Sequence, residues 1–387
     1  MNNFTVIVLD GVGVGELDDA DKYKDVGSDT LGNISRKLNG LTLPNLQAFG
    51  LGNLHEIVGV PPHNNPKASY GKLAEISIGK DSTTGHWELG GLKIDYEFPL
   101  YPNGFPQRIL NLFMEKTGVK GILGNKAASG TEIIKELGDE HVKTGFPIVY
   151  TSADPVFQIA AHEEIIPLEK LLEMCRIARH EVMIGDDQVG RIIARPFVGD
   201  SGCYTRTTNR KDFSVNPPSK TILNVLQDAG IDTIAVGKIN DLFNYNGIKI
   251  SEITKSNMKG VDKILESQAK ASNSFIFANL VDFDVYFGHR NDPEGFYNAL
   301  VEFDNRLPEI IASMDETDAL VLTADHGNDP TTSSTDHSRE YVPLLFYRKG
   351  VKGKNLGVRK TFADVAQTVA HFFKVNNNLQ GTSFLNG

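Results

Sequence analysis

Short, almost wholly apolar runs alternate along this chain with stretches in which apolar residues recur every three or four positions. The first run, Phe4 to Leu9 (FTVIVL), is rich in β-branched residues and ends in Asp10-Gly11. A strand buried on both faces reads this way, because crossover helices cover both sides of a parallel sheet. Similar runs stand at Thr233 to Val236, Phe275 to Leu280 (FIFANL), Ala319 to Leu322 (ALVL) and Pro343 to Phe346. Between them, helical spacing predicts helices over Thr30 to Leu38, Lys220 to Ala229, Val261 to Ala271, Glu294 to Ile311 and Ala363 to Phe373. Strands that alternate with helices predict an α/β fold with a mostly parallel sheet flanked by helices.

The pattern changes in the middle of the chain. Prolines and glycines become frequent at turns, short alternating strands appear at Ile148 to Thr151 and Arg191 to Ala194, and arginines concentrate. This predicts a smaller α+β domain over residues 98–216, inserted into a discontinuous core of residues 1–97 and 217–387. The α/β pattern returns after Asn216-Pro217-Pro218-Ser219, where the prolines stop one element and Ser219 is placed to cap the next helix. No internal repeat or low-complexity segment interrupts either part.

Composition is consistent with this picture. A chain of 387 residues, 40% hydrophobic, buries a large core and favours two domains over one. Its formal net charge of -10 argues against nonspecific nucleic-acid binding, which needs a basic field. An anionic substrate must then be captured by local positive charge, from metal ions or an arginine cluster. No apolar run reaches bilayer length, and the start Met-Asn-Asn-Phe lacks the basic segment of a secretory signal. The expectation is a cytoplasmic protein with no membrane or nucleic-acid partner and no obligate protein partner. Cys175 and Cys203 form no Cys-x-x-Cys pair and are read as packing residues.

Candidate chemistry lies just beyond the strands, where open α/β sheets gather functional groups. Asp10 follows the first strand; Asp282 and Asp284 follow FIFANLV, with His289 close behind; Asp325 and His326 follow ALVLTA, and Asp336-His337 comes soon after. Any one of these aspartates alone is as readily a turn former or helix cap. Their coincidence at several strand ends is what points to metal. Acids and imidazoles brought to one sheet edge need a cation between them. Three carboxylates and three imidazoles exceed one tetrahedral site and are too rich in nitrogen for typical magnesium, so manganese or zinc fits better. Two ions roughly 3.5–4 Å apart would share the ligands and form the clamp of phosphate-ester chemistry.

The candidate nucleophile is Thr84 in Lys80-Asp81-Ser82-Thr83-Thr84-Gly85-His86. A hydroxyl followed by glycine at a helix start can approach metal ions closely, while helix N–H groups face a phosphate. The glycines of Gly11-Val12-Gly13-Val14-Gly15 do not make a dinucleotide loop, because the last position of the G-x-G-x-x-G frame from Gly11 is Glu16. No Walker A sequence is present.

Together, VIVLDGVGVGELDDA, DSTTGHWELGG, GNKAASGTEII, ARPFVGD with TRTTNRKDFS, NLVDFDVYFGHRND and TADHGNDPTTSSTDHSREYVPLL resemble the phosphopentomutases. This family is part of the alkaline phosphatase superfamily and related to cofactor-independent phosphoglycerate mutases. The resemblance implies an alkaline-phosphatase-like core with an inserted cap. One manganese would be held by Asp284, His289 and His337, the other by Asp10, Asp325, His326 and Thr84, with Thr84 carrying the phosphoryl group. Ser152 and Asp154 would contact the sugar, Arg191 and Arg206 would grip the distal phosphate, and Lys238 would fall near the same pocket. Arg195, Arg210 and Lys211 are read instead as surface charges or ion-pair partners. The implied activity, of the isomerase class, interconverts ribose 1-phosphate and ribose 5-phosphate and their 2-deoxy forms. A sugar bisphosphate, glucose 1,6-bisphosphate or ribose 1,5-bisphosphate, would act as activator. The alternative is a metal-dependent phosphomonoesterase or another phosphomutase of the superfamily, and a cap that excludes water favours the mutase.

Overall fold

The apolar runs become strands of two sheets in a computed structural model that describes residues 2–152 and 154–386. In chain order the strands are β1 (Phe4–Leu9), β2 (Ser69–Leu73), β3 (Leu123–Ala127), β4 (Ile148–Thr151), β5 (Val156–His162), β6 (Arg191–Val198) and β7 (Thr205–Arg206). There follow β8 (Lys211–Ser214), β9 (Asp232–Val236), β10 (Ile250–Glu252), β11 (Ser274–Leu280), β12 (Ala319–Thr323), β13 (Val342–Arg348) and β14 (Asn355–Arg359). Two compact units hold them: Met1–Tyr96 with Pro217–Gly387, and Glu97–Asn216.

In the first unit the sheet order is β10-β9-β11-β1-β12-β13-β2-β14. Strands β10, β9, β11, β1 and β12 run parallel, β13 runs against both β12 and β2, and β14 lies parallel to β2. Every residue of β1, β11 and β12 is buried. Each large aliphatic or aromatic side chain fully buried there contributes about 1.5–3 kcal/mol, which is why these strands hold the middle of the sheet. The register sets Leu9 beside Leu280 and Val8 beside Thr323. The three strands therefore end level, and the residues that follow them share one edge.

Helices Thr30–Lys37, Ile222–Asp228, Asn257–Lys270, Pro293–Ala312 and Asp364–Phe372 cover the predicted helical stretches. Ser219 does not cap the helix after the double proline. That helix is capped by Thr221, whose N–H and hydroxyl both donate to Asn224 Oδ1 at 3.0 and 3.1 Å. Among the described residues, no helix is long and apolar enough to cross a membrane.

The second unit is built on a sheet of order β3-β4-β5-β6-β7, with β8 pairing β6. Successive residues of β4 serve opposite sides: Val149 joins Phe105, Phe113 and Phe157 in one core, while Ile148 and Tyr150 join Ile133, Ile134 and Phe197 in another. Period-two alternation inside a sheet covered on both faces produces this division. Cys175 is buried in the first of these cores, but Cys203 is exposed and is not a packing residue.

Candidate functional site

The level ends of β1, β11 and β12 place Asp10, Asp284 and Asp325 in one region, all essentially buried. Asp10 and Asp325 follow their strands almost directly. Asp284 sits on the single helical turn Phe283–Phe287 after β11, and His289 on the next turn, Gly288–Arg290. Asp282 is not drawn in; its carboxylate accepts the Asn257 N–H at 2.7 Å and anchors a helix start. His326 and His337 stack with ring centroids 3.8 Å apart, and His289 lies 4.8 Å from His337.

All three imidazoles commit Nδ1 to a backbone carbonyl. His326 Nδ1 is 3.0 Å from Gly327 O, His289 Nδ1 is 2.7 Å from Thr335 O, and His337 Nδ1 is 3.1 Å from Lys80 O. A ring whose Nδ1–H is so engaged turns the Nε2 lone pair outward. His326 Nε2 then faces Asp325 Oδ2 at 3.2 Å and Asp10 Oδ1 at 3.4 Å. His289 Nε2 faces Asp284 Oδ2 at 3.2 Å, and His337 Nε2 faces Asp284 Oδ1 at 3.4 Å. Lone pairs directed at carboxylate oxygens repel unless a positive charge lies among them.

The electrostatics point the same way. Burial disfavours the Asp284 charge, yet the His337 and His289 imidazoles hold its carboxyl well below the usual range. Burial likewise opposes the charge of Asp325, which His326 and His86 keep far below the ordinary value. Burial also works against a charged His326, but Asp325 and Asp10 raise its affinity for a proton well above that of a free imidazole. Asp10 Oδ1, Asp325 Oδ2 and His337 Nε2 are buried without a hydrogen-bond partner. Each such atom costs about 1–3 kcal/mol when nothing compensates it.

Divalent cations satisfy these demands together. The ligand atoms of Asp284, His326 and His337 lie within 4.8 Å of one another, and so do those of Asp10, Asp325 and His326. The two groups share His326, whereas the resemblance puts His289 rather than His326 with Asp284 and His337. His289 nonetheless stands 3.2 Å from Asp284. The residues present fit a pair of neighbouring metal ions in a mixed oxygen and nitrogen set.

Thr84 lies in the first turn of the helix Ser82–Leu89, capped by Asp81. Asp81 Oδ1 accepts the N–H groups of Thr83 and Thr84 at 2.9 and 3.2 Å, and Oδ2 accepts the Thr84 hydroxyl at 2.6 Å. Ser82 Oγ is 3.2 Å from His326 Nε2, and a β-carbon on Gly85 would lie 2.0 Å from the Asp325 carbonyl oxygen. The helix start thus sits against the metal-ligand cluster.

The remaining sequence candidates are divided between the units. In the second unit Ser152 follows β4, Asp154 pairs with Arg191 at 3.1 Å, and Arg206 is exposed on β7. Arg210 is bonded to Asp212 at 2.6 Å, Arg195 to Gln158 at 3.0 Å, and Lys211 lies over the Phe213 ring. In the first unit Lys238 follows β9 at the start of the short helix Ile239–Leu242. Four contributors escaped the sequence reading: Asp81, His86, Asn279 and Asn328. Asn279 carried a signal, being a polar side chain inside the apolar run FIFANL, and its amide donates to Asp10 Oδ2 at 2.9 Å. Asn328 donates to Asp284 Oδ1 at 2.6 Å.

The sequence model of the metalloenzyme superfamily matches residues 2–377. A phosphopentomutase of Acetivibrio thermocellus is 58% identical over 386 residues, covering 100% of this chain and 99% of that protein. Phosphopentomutases of Clostridium kluyveri and Dictyoglomus thermophilum are 54% and 55% identical, covering 99% and 100% of this chain and 98% of each relative. Among solved structures, a Pyrococcus horikoshii protein superposes with a TM-score of 0.52 at 15% identity, covering 98% of this chain and 99% of its own. The Leishmania mexicana phosphoglycerate mutase does so with a TM-score of 0.50 at 11% identity, covering 98% and 97%. At such identities the structures testify to a shared fold.

Proposed function

The chain belongs to the phosphopentomutase family of the metalloenzyme superfamily, an isomerase-class enzyme, and from that premise we propose that it interconverts ribose 1-phosphate and ribose 5-phosphate, together with the 2-deoxy sugars. One observation carries this reading beyond the family name. At the ends of β1, β11 and β12, two ligand groups that demand cations meet the start of the helix that carries the buried Thr84, through Ser82 and His326.

Two divalent ions, manganese in this reading, would be held by Asp284, His289 and His337 and by Asp10, Asp325, His326 and Thr84, and when bound supply positive charge to a transferring phosphoryl group. Thr84 Oγ1 is the atom that carries that group. Before phosphorylation its proton is directed at Asp81 Oδ2, 2.6 Å away, which is placed to receive it. Phosphorylated Thr84 passes the group to the free hydroxyl of a sugar monophosphate: the bond to Thr84 Oγ1 breaks, a bond to the sugar oxygen forms, and that hydroxyl releases its proton. The resulting bisphosphate returns its other phosphate to Thr84, and the oxygen left behind takes a proton. Nothing is consumed. Only phosphorylated enzyme can begin, so glucose 1,6-bisphosphate or ribose 1,5-bisphosphate serves as primer.

Ser152 and Asp154 contact the sugar in this reading, Arg191 and Arg206 grip the distal phosphate, and Lys238 adds a further cation. Arginine suits the task because its planar fork matches phosphate oxygens two at a time. The partners are small sugar phosphates and the setting is the cytoplasm.

The test is to give manganese-loaded protein ribose 5-phosphate and glucose 1,6-bisphosphate and to follow the phosphorus resonances. Ribose 1-phosphate should form faster than inorganic phosphate. Faster release of inorganic phosphate would make the protein a phosphomonoesterase. Mass spectrometry of the Thr84 peptide should show one added phosphate, and its absence from active protein would rule out Thr84 as the phosphoryl carrier.

A further inference from the structure

The helix that carries Thr84 is tied to one ligand group by two residues that belong to neither group. His86, fully buried on that helix, has Nδ1 2.7 Å from the Ser82 carbonyl oxygen one turn back and 3.1 Å from Asp325 Oδ2. Its Nε2 lies 3.2 Å from Nδ2 of Asn279, and the same amide nitrogen donates to Asp10 Oδ2 at 2.9 Å. Flanked by two oxygens, Nδ1 carries the hydrogen; facing an amide N–H, Nε2 accepts. The Asn279 amide gives one N–H to the imidazole and the other to Asp10. Turning either the ring or the amide over would break the relay, so its direction is fixed. The cluster is also closely packed: the Phe277 ring stands 5.9 Å from His86, and no space for a side chain exists between Gly85 and the Asp325 backbone.

We propose that His86 and Asn279 are positioning residues for the ion bound by Asp10, Asp325 and His326: Asn279 orients the Asp10 carboxylate, and His86, bonded to Asn279 and in contact with Asp325, holds the Thr84 helix against that group. They do not serve the ion on the Asp284 side. There the outer hydrogen bond comes from Asn328, at 2.6 Å. The inference rests on the two-metal reading of the site and adds that the two ions have separate outer supports. Hydrogen bonds behind a ligand fix its orientation, and their removal lowers metal affinity about 10–100-fold.

Direct manganese binding tests this. Full-length protein is stripped of metal and titrated with Mn2+, free Mn2+ being counted by its paramagnetic resonance, for wild type, Asn279→Leu, His86→Phe, His86→Gln and Asn328→Leu. Wild type should bind two ions. Asn279→Leu and His86→Phe should each weaken one ion by about 10–100-fold and leave the other essentially unchanged. His86→Gln, whose amide can still donate and accept, should recover part of the loss. Asn328→Leu should weaken one ion as well, and only its combination with Asn279→Leu should weaken both. Circular dichroism establishes that each variant is folded, and Asn279→Leu carries the measurement where His86→Phe does not fold. Equal weakening of both ions by Asn279→Leu, or of neither, would overturn the inference while leaving the two-metal reading intact. Fewer than two ions on wild type would overturn both.

Discussion

A β-carbon at Gly85 would lie 2.0 Å from the Asp325 carbonyl oxygen, and that oxygen belongs to backbone that cannot swing aside. Gly85→Ala should therefore lift the Thr84 helix from the strand end. Overpacking of this kind destabilises by about 1–3 kcal/mol, while misplacing a reacting group by an ångström lowers turnover on the order of 100-fold. Urea unfolding and the mutase assay, measured side by side, should show activity falling far more than stability. Glu340 offers a second single-residue test. Burial pushes its carboxyl up to about 7 although Ser338 and Thr30 donate to it. The folded protein thus keeps this proton at pH values where the unfolded chain, titrating near 4.5, has lost it. The stabilisation is fully present below about 4.5 and disappears as pH rises towards 7, a loss of about 3 kcal/mol. Glu340→Gln, which stays neutral, should gain stability relative to wild type between pH 5 and pH 8, and denaturant midpoints at the two pH values check it. Residues of this kind divide by how much of their role is written in local sequence. Asp10, Asp284 and Asp325 were legible because each follows an apolar run. His86 and Glu340 were not, because their partners lie 239 and 310 positions away and only folding reveals them.

Among the elements, the helix Ser82–Leu89 depends most on one side chain. Asp81 both caps it and accepts the Thr84 hydroxyl. Asp81→Ala should cost about 1 kcal/mol of stability through the lost cap. On the proposed mechanism, phosphorylation of Thr84 should fall by a larger factor than that loss implies, since the hydroxyl also loses its acceptor. Thermal unfolding, set against the rate of phosphothreonine formation, separates the two effects. The central strands were readable as unbroken apolar runs because both their faces are covered. Strands β2 (SYGKL) and β14 (NLGVR) escaped because small, glycine and charged residues dominate them, and β14 is half open to solvent. Nor could the run at Pro343 to Phe346 reveal that β13 lies antiparallel to its neighbours, since an apolar pattern carries no direction. The turn Phe283–Phe287 was equally hidden: five residues are too few to show a helical period, yet they aim Asp284 at the cluster.

For the molecule as a whole, the ligand cluster is a site of stored repulsion that cations relieve. Chelation should lower the unfolding temperature, and manganese at 100 times its dissociation constant should restore about 2.7 kcal/mol per site. Calorimetry with and without chelator measures this, and an unchanged midpoint would argue against metal at the cluster. The Glu97–Asn216 unit, with cores on both sides of its own sheet, should unfold cooperatively when expressed alone. Chain order has a further consequence, for synthesis. Among the described residues, strand β1 pairs with β11 and β12, which begin 270 and 315 residues after it. At elongation speeds of about 5–20 residues per second, β1 waits on the order of ten seconds to a minute for its neighbours. Through that interval β1 is an apolar strand with two open edges, while the Glu97–Asn216 unit can already close behind it. The ligand cluster at the ends of β1, β11 and β12 can therefore assemble only after His337 has been made. A ribosome-bound chain halted before residue 274 should resist protease over residues 97–216 and be cut throughout residues 1–96.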